Sequence, residues 1–380
     1  MLSLVKCREN TKTNSFPFII SVKSKSIVVA GGIAYSGVEV VSTNKTIRNM
    51  KLPNLPLKFG TMAFFHNNTL ANCDPGAKTC YQLQNDQWKP LNTLNKERDI
   101  GIAVSTDHAS YIFGGAASSK TYDYLPKNSD TWILGKNEIP IQFDHSGCSV
   151  ALSNEEIFLI TNEQILKFDT SSETFTIVKV WQEVDSKWKP ANWKYYACSI
   201  IPGTQKIIVT GGEDEEGNPN DSTKILHVQD DGEIIPTNAT SMNVKRNGHG
   251  IGLFTIQGEE RIAVFGGFDF DALDSIETFN YKSGKWELSE FKLSKRNNYF
   301  GSVSLPNDFI LSMLPSSCGQ RNSLGSNDNL KIASAEFGEF PHMCTIMKKN
   351  SGTGSPTYLG GASLISPNVV LTAAKVLGYG

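Results

Sequence analysis

The chain has 380 residues, with 36 lysines and arginines against 38 aspartates and glutamates, and seven cysteines. Near-neutral charge without basic clusters argues against nucleic acid as a partner, and apolar runs far below the roughly 20 residues of a membrane-spanning helix argue against a bilayer. The length exceeds a common single domain, so one large domain and a smaller remnant are expected.

The opening MLSLVKCREN loses its apolar character after Val5, short of the roughly 7 to 15 residues of a secretory signal, so 1–15 reads as a leader without one. The expected location is extracellular if a longer chain carries a signal peptide, with the cytoplasm as the alternative. Sequons at Asn44, Asn67, Asn220 and Asn238 do not decide between them.

Residues 16–314 repeat. A short apolar run ending in two glycines recurs as SIVVAGG (Gly31, Gly32), SYIFGG (Gly114, Gly115), KIIVTGG (Gly211, Gly212) and RIAVFGG (Gly266, Gly267), with degraded copies at TLANC and IFLITN. Counting all six, the period is 41 to 55 residues. Paired aromatics follow several copies: Tyr81 and Trp88, Tyr124 and Trp132, Phe168 and Phe175, Phe279 and Trp286, separated by turn sequences such as PKNSD and KSGK. In a radial array of four-stranded sheets, glycines are expected where strands crowd near the axis, and large aromatics fill the wedges between sheets. An all-β propeller of about six blades follows. The stretch NNYFGSVSL and FILSML, Asn297 to Leu314, either closes the ring by pairing with the first blade or begins a seventh. The double glycine, tyrosine and tryptophan pattern resembles Kelch repeats, which implies protein binding through loops on one face.

The propeller region contains no HExxH, CxxC or Walker-type loop, and its histidines are scattered, so neither a metal nor a cofactor is expected. Two acidic loops, Gly211–Asp221 and Gly266–Asp274, follow glycine pairs at equivalent points and should emerge on one face. Asp269, Asp271 and Asp274 offer oxygens but lack the glycine and closing glutamate of an EF-hand. The stretch WQEVDSKWKPANWKYY makes Trp181, Trp188 and Trp193 a candidate protein-binding loop, or else core tryptophans of a connection between blades. Cys73 and Cys80 flank a turn, and Cys148 and Cys198 occupy matching strands of successive blades, so both pairs are candidate disulfides.

From 315 to 335 the composition turns to Ser, Asn and Gly, reading as a linker, and 336–380 reads as a separate domain piece. CGQRNSLG, AEFGEFPHM and GGASLISPNVVLTAAK resemble, in order, the junction and first segments of arthropod clip-domain serine proteases and their inactive homologues, members of the trypsin-like family. The resemblance implies a truncated trypsin-like double β-barrel, an interchain or interdomain role for Cys318, and Lys375 at the place of the catalytic histidine. A charged lysine donates three hydrogen bonds and accepts none, so it cannot take the serine proton. The triad's aspartate and serine would lie beyond residue 380. The expected function is therefore a non-catalytic protein-interaction molecule, not an enzyme, acting by resemblance as a cofactor in an arthropod extracellular cascade of the prophenoloxidase type. A serine endopeptidase with a faulty or incomplete sequence and an intracellular Kelch adaptor are the alternatives.

Overall fold

A computed structural model describes residues 3–6, 24–32, 36–48, 52–56, 62–67, 69–74, 76–84, 87–142, 147–161, 164–180, 194–214, 216–281, 283–307, 310, 343–348, 357–366 and 369–372. The chain forms two compact units, one of Ile20–Leu314 and one of Met1–Ile19 with Pro315–Gly380. In the second unit, β1 (Ser3–Lys6) pairs with a strand from the far end of the sequence, described below.

Ile20–Leu314 is a six-bladed β-propeller. Its first blade holds β2 (Lys25–Ala30) and β3 (Val38–Val41). The second is β4 (Met62–His66), β5 (Thr69–Cys73), β6 (Cys80–Gln84) and β7 (Gln87–Leu91). The third is β8 (Ile102–Ser105), β9 (Ala109–Phe113), β10 (Tyr122–Pro126) and β11 (Ile133–Leu134). The fourth is β12 (Gly147–Ala151), β13 (Glu156–Thr161), β14 (Ile165–Asp169) and β15 (Thr174–Ile177). The fifth is β16 (Ala197–Ile200), β17 (Lys206–Thr210), β18 (Thr223–Val228) and β19 (Ile234–Asn238). The sixth is β20 (Gly250–Ile256), β21 (Glu259–Phe265), β22 (Leu273–Asn280) and β23 (Lys285–Asn297). The chain then returns as β24 (Gly301–Pro306), which pairs antiparallel with β2, Val28 opposite Val303. Of the two alternatives for Asn297–Leu314, closure onto the first blade is the one adopted. Neighbouring innermost strands touch in the order β24, β4, β8, β12, β16, β20 and back to β24, so the ring is complete.

The burial pattern explains why the repeat reads as it does. Second strands β5, β9, β13, β17 and β21 are buried along most of their length because a blade covers each of their faces. Their sequences are accordingly continuous apolar runs rather than alternating ones. Of the degraded copies, TLANC and the IFLIT of IFLITN are true second strands of this kind. Outer strands such as β7 and β15 are mostly exposed. Trp132 and Trp286 are buried in separate clusters, Trp132 edge-on to Phe64 of the preceding blade. Trp88 is only half-buried, its indole N–H donating to the Pro53 carbonyl at 2.9 Å. Phe168 lies opposite Phe175 and Phe279 opposite Trp286, as the aromatic spacing predicts.

The glycine pairs sit elsewhere than expected. They end second strands, one strand out from the axis, and at Gly211–Gly212 and Gly266–Gly267 the connection entering the next blade crosses them. Gly212 N–H donates to the Arg246 carbonyl and Gly267 N–H to that of Asn297. Gly211 has φ 59°, and a Cβ there would stand 2.7 Å from the His249 ring, so both backbone sign and close approach demand glycine.

In the second unit, β25 (Met343–Lys348), β26 (Thr357–Ser366) and β27 (Val369–Thr372) form an antiparallel meander, and β1 joins the free edge of β27. No double β-barrel is seen among its described residues. Cys318, Lys375 and the 315–335 linker lie outside the described residues.

Candidate functional site at the mouth of the axial cavity

The innermost strands enclose a cavity of about 740 Å³ along the ring axis. Its wall includes Ile102, Ala197, Ile251 and Phe300, with Ser149 and Ser302 as polar points, and its rim holds Asp99, Ile100, Tyr195, Gly248 and Tyr299. The rim residues Ile100, Tyr195, Gly248 and Tyr299 occupy one structural position, two residues before the innermost strands begin at Ile102, Ala197, Gly250 and Gly301. All four have left-handed backbone, with φ of 55°, 56°, 53° and 50°. The equivalent residues of the other two blades lie outside the described residues.

A local reason for this conformation is visible. Gly248 N–H donates to the Tyr195 carbonyl at 2.9 Å, and Tyr299 N–H to the Gly248 carbonyl at 2.8 Å. The left-handed turns thus stitch three consecutive blades around the mouth. Glycine suits the position without penalty, whereas isoleucine and tyrosine there are strained. Elsewhere among the described residues, the non-glycine left-handed positions are Asn67, Asn128, Glu173, Gln257 and Phe270. The first four are polar turn formers. Phe270 belongs to the Gly266–Asp274 loop and is 82% exposed.

Both acidic loops border the segment that leads into the sixth blade, on the same face as expected. Asn247 N–H bonds the Phe268 carbonyl at 3.1 Å, and the Asn247 side-chain amide donates to Glu213 at 2.6 Å. Burial pushes the Glu213 carboxyl up, with Lys194 acting against this, and burial with Glu213 nearby pushes the Tyr299 hydroxyl up, so Tyr299 stays protonated. The Tyr195 and Tyr299 rings meet edge to face at 5.2 Å. Asp271 pairs with Arg296 and Asp274 with Lys292, so these carboxylates do not converge with Asp269.

His249 lies in the cavity wall, 8% exposed, with Nε2 2.9 Å from Thr210 Oγ1. Burial, reinforced by Arg246, holds its pKa well below the ordinary histidine value, so the ring is neutral. Cys148 and Cys198 also line the cavity and form a disulfide between the innermost strands β12 and β16; Cys73 and Cys80 form another across the β5–β6 hairpin. Both pairings match the expectation. The tryptophan loop of Trp181, Trp188 and Trp193 lies outside the described residues.

The sequence reading missed the rim. It also missed an Asn-x-x-Arg motif, Asn95 to Arg98 and Asn243 to Arg246, that positions it. Arg98 Nη1–H donates to the Gly114 carbonyl at 2.9 Å, and Arg246 Nη1–H to that of Gly266 at 2.7 Å. Each arginine pairs with a carboxylate of its blade's third strand, Asp123 or Glu277, which also receives the N–H of Asn95 or Asn243. The first blade uses Asn297, donating to Gly31, and Glu39, accepting from the Ser294 N–H. The available signal was the recurrence of arginine 16 to 20 residues before a glycine pair.

No protein-family model and no curated protein matches the chain. Among solved structures, the chain is similar to YjhT, at 15% identity and TM-score 0.51 over 65% of this chain and 88% of that one. It is also similar to a fungal alcohol oxidase of the AA5 family, solved in complex with copper, at 13% identity and TM-score 0.54 over 74% of this chain and 66% of that one, just under two thirds of its length. At these identities the likeness is one of fold. The expectation that the chain is not an enzyme is corrected by the second likeness: the exclusion rested on Lys375 in the tail, whereas the propeller shares its fold with an oxidase. Among the described residues, no three His, Cys, Asp or Glu side chains gather as metal ligands.

Proposed function

We propose that this chain is a binding protein whose propeller receives a protein ligand on the face that carries the axial mouth. The observation that supports this most is the placement of Ile100, Tyr195, Phe270 and Tyr299, large apolar or aromatic side chains held in strained left-handed backbone on that one face. Strain of this kind concentrates at ligand sites, because the rest of the fold must hold it in place. Exposed aromatic and aliphatic anchors are the usual energetic centres of protein recognition. The resemblance of the repeats to Kelch propellers adds the same expectation. The motif resemblance of 318–380 to serine protease homologues and the two disulfides favour an extracellular setting. No helix among the described residues is long and apolar enough to cross a membrane.

A second reading is favoured by the cavity itself, whose volume falls in the roughly 300–1,000 Å³ range of small-molecule sites. There the same mouth admits a small ligand or substrate. Selection of a random peptide display library on the full chain, followed by hydrogen exchange of the complexes, separates the two. Enriched peptides that protect 99–102, 195–197 and 248–251 support the protein-ligand reading. Enriched peptides that protect only outer strands, or no enrichment at all, refute it.

A further inference from the structure

The chemistry of the rim is more specific than a generic apolar anchor. Asp99 is half-exposed at the mouth, and its carboxylate has no hydrogen-bond or ion-pair partner among the described residues. It leads into the third blade, while Gly248 leads into the sixth. In a closed ring of six these blades are opposite, so Asp99 lies across the axis from Gly248, against which the Tyr299 ring packs and meets that of Tyr195. Below them the wall turns apolar through Ile102, Ala197, Ile251 and Phe300. On the bordering loops Glu213, Asp214, Glu216 and Asp269 have no salt-bridge partner among the described residues, although Lys194 and Lys245 lie near Glu213 and Asp214.

A lone carboxylate opposite two tyrosine rings, above an apolar throat, is complementary to one kind of group: a cation on an aliphatic stem. Tyrosine faces attract cations through the ring quadrupole, most strongly where water is partly excluded. A guanidinium adds planar stacking and two parallel hydrogen bonds to a carboxylate. Its methylene stem covers apolar surface while the head stays polar. An anionic ligand would meet Asp99 and the acidic loops unfavourably.

Resting on the protein-ligand reading above, we propose that the axial mouth is a receptor for an arginine side chain on a partner protein. The guanidinium lies between the Asp99 carboxylate and the Tyr195 and Tyr299 rings, and the stem enters the throat. The left-handed backbone at Tyr195 and Tyr299 sets both rings over the mouth, and the link from Tyr299 N–H to the Gly248 carbonyl holds one of them there.

The test is titration calorimetry of the full chain with acetyl-Gly-Arg-Gly-amide and with its citrulline counterpart, which keeps the planar shape but lacks the charge and carries a carbonyl acceptor in place of one guanidinium donor. Saturable binding of the arginine peptide is expected, weaker by about tenfold for citrulline and in Asp99→Asn. Raising sodium chloride from about 50 to 500 mM should also weaken it, because a rim charge is screened. Asp99→Asn is nearly isosteric, and an unchanged urea midpoint confirms that the variant is folded. Tyr299→Leu, which keeps apolar bulk and removes the aromatic face, should lose affinity as well. Equal affinity for both peptides, indifference to Asp99→Asn, or no saturable arginine binding overturns the proposal. Should the peptide selection protect the mouth with sequences lacking basic residues, the protein-ligand reading stands and the arginine assignment falls.

Discussion

Arg246 and Glu277 meet at 2.7 Å with neither side chain exposed, and Arg98 and Asp123 repeat the relation at 2.8 Å. Removing one partner of such a pair leaves an uncompensated buried charge. Glu277→Ala should therefore cost about 3–5 kcal/mol in urea unfolding. Replacing both, as Arg246→Met with Glu277→Leu, should recover only part of this, because Glu277 also receives the backbone N–H of Asn243 and Val244. Full recovery would show that the carboxylate's capping of this turn contributes little.

Trp132 and Trp88 occupy comparable places in the repeat, yet only Trp132 is buried. Trp132→Ala should cost about 3–5 kcal/mol, and Trp88→Ala distinctly less. Equal losses, read from denaturation midpoints at constant slope, would contradict the burial difference.

Ile100 is 43% exposed and β-branched, with φ 55°. Ile100→Gly should raise stability by about 1 kcal/mol, as relief of left-handed strain exceeds the added chain entropy of glycine. If the rim binds ligand as proposed, the same change should weaken binding. A destabilised Ile100→Gly variant would mean that the isoleucine packs favourably enough to offset its backbone.

The disulfides differ in the loops they close. Cys148 and Cys198 are separated by 50 residues, Cys73 and Cys80 by 7. On loop entropy the first pair should contribute about 4 kcal/mol and the second about 2. The double serine variants, compared by urea denaturation, should follow that order.

Histidine burial predicts acid sensitivity. The folded state holds His249 neutral, while the unfolded chain protonates it near 6.5. Stability from this group is complete above that value and falls as pH drops below it, by up to about 1.4 kcal/mol per pH unit. His66 and His227, also lowered by burial, act in the same direction. His249→Gln should flatten the dependence of the urea midpoint between pH 7 and 5, and an unchanged slope would reject the assignment.

What the sequence by itself determined was the repeated unit. Runs such as RIAVF are apolar throughout because both faces of a second strand are covered, and Gly211 and Gly266 recur because a neighbouring connection crosses each pair. Those constraints act within one blade and its neighbour, so they leave a periodic mark that can be counted along the chain. Trp132 and Phe279 were legible for the same reason, as was the pairing of Cys73 with Cys80 across one hairpin. The mouth was not legible. Asp99, Tyr195 and Tyr299 stand before three different blades, are separated by 96 and 104 residues, and share no motif. Their common property is a left-handed turn or its neighbour at one level of the ring, a conformation that tyrosine and isoleucine do not announce in sequence. The pairing of β24 with β2 closes the circle, and only that closure sets Asp99 across the axis from Gly248, with Tyr195 and Tyr299 on either side of it, because convergence on an axis is a property of six blades together rather than of any one of them.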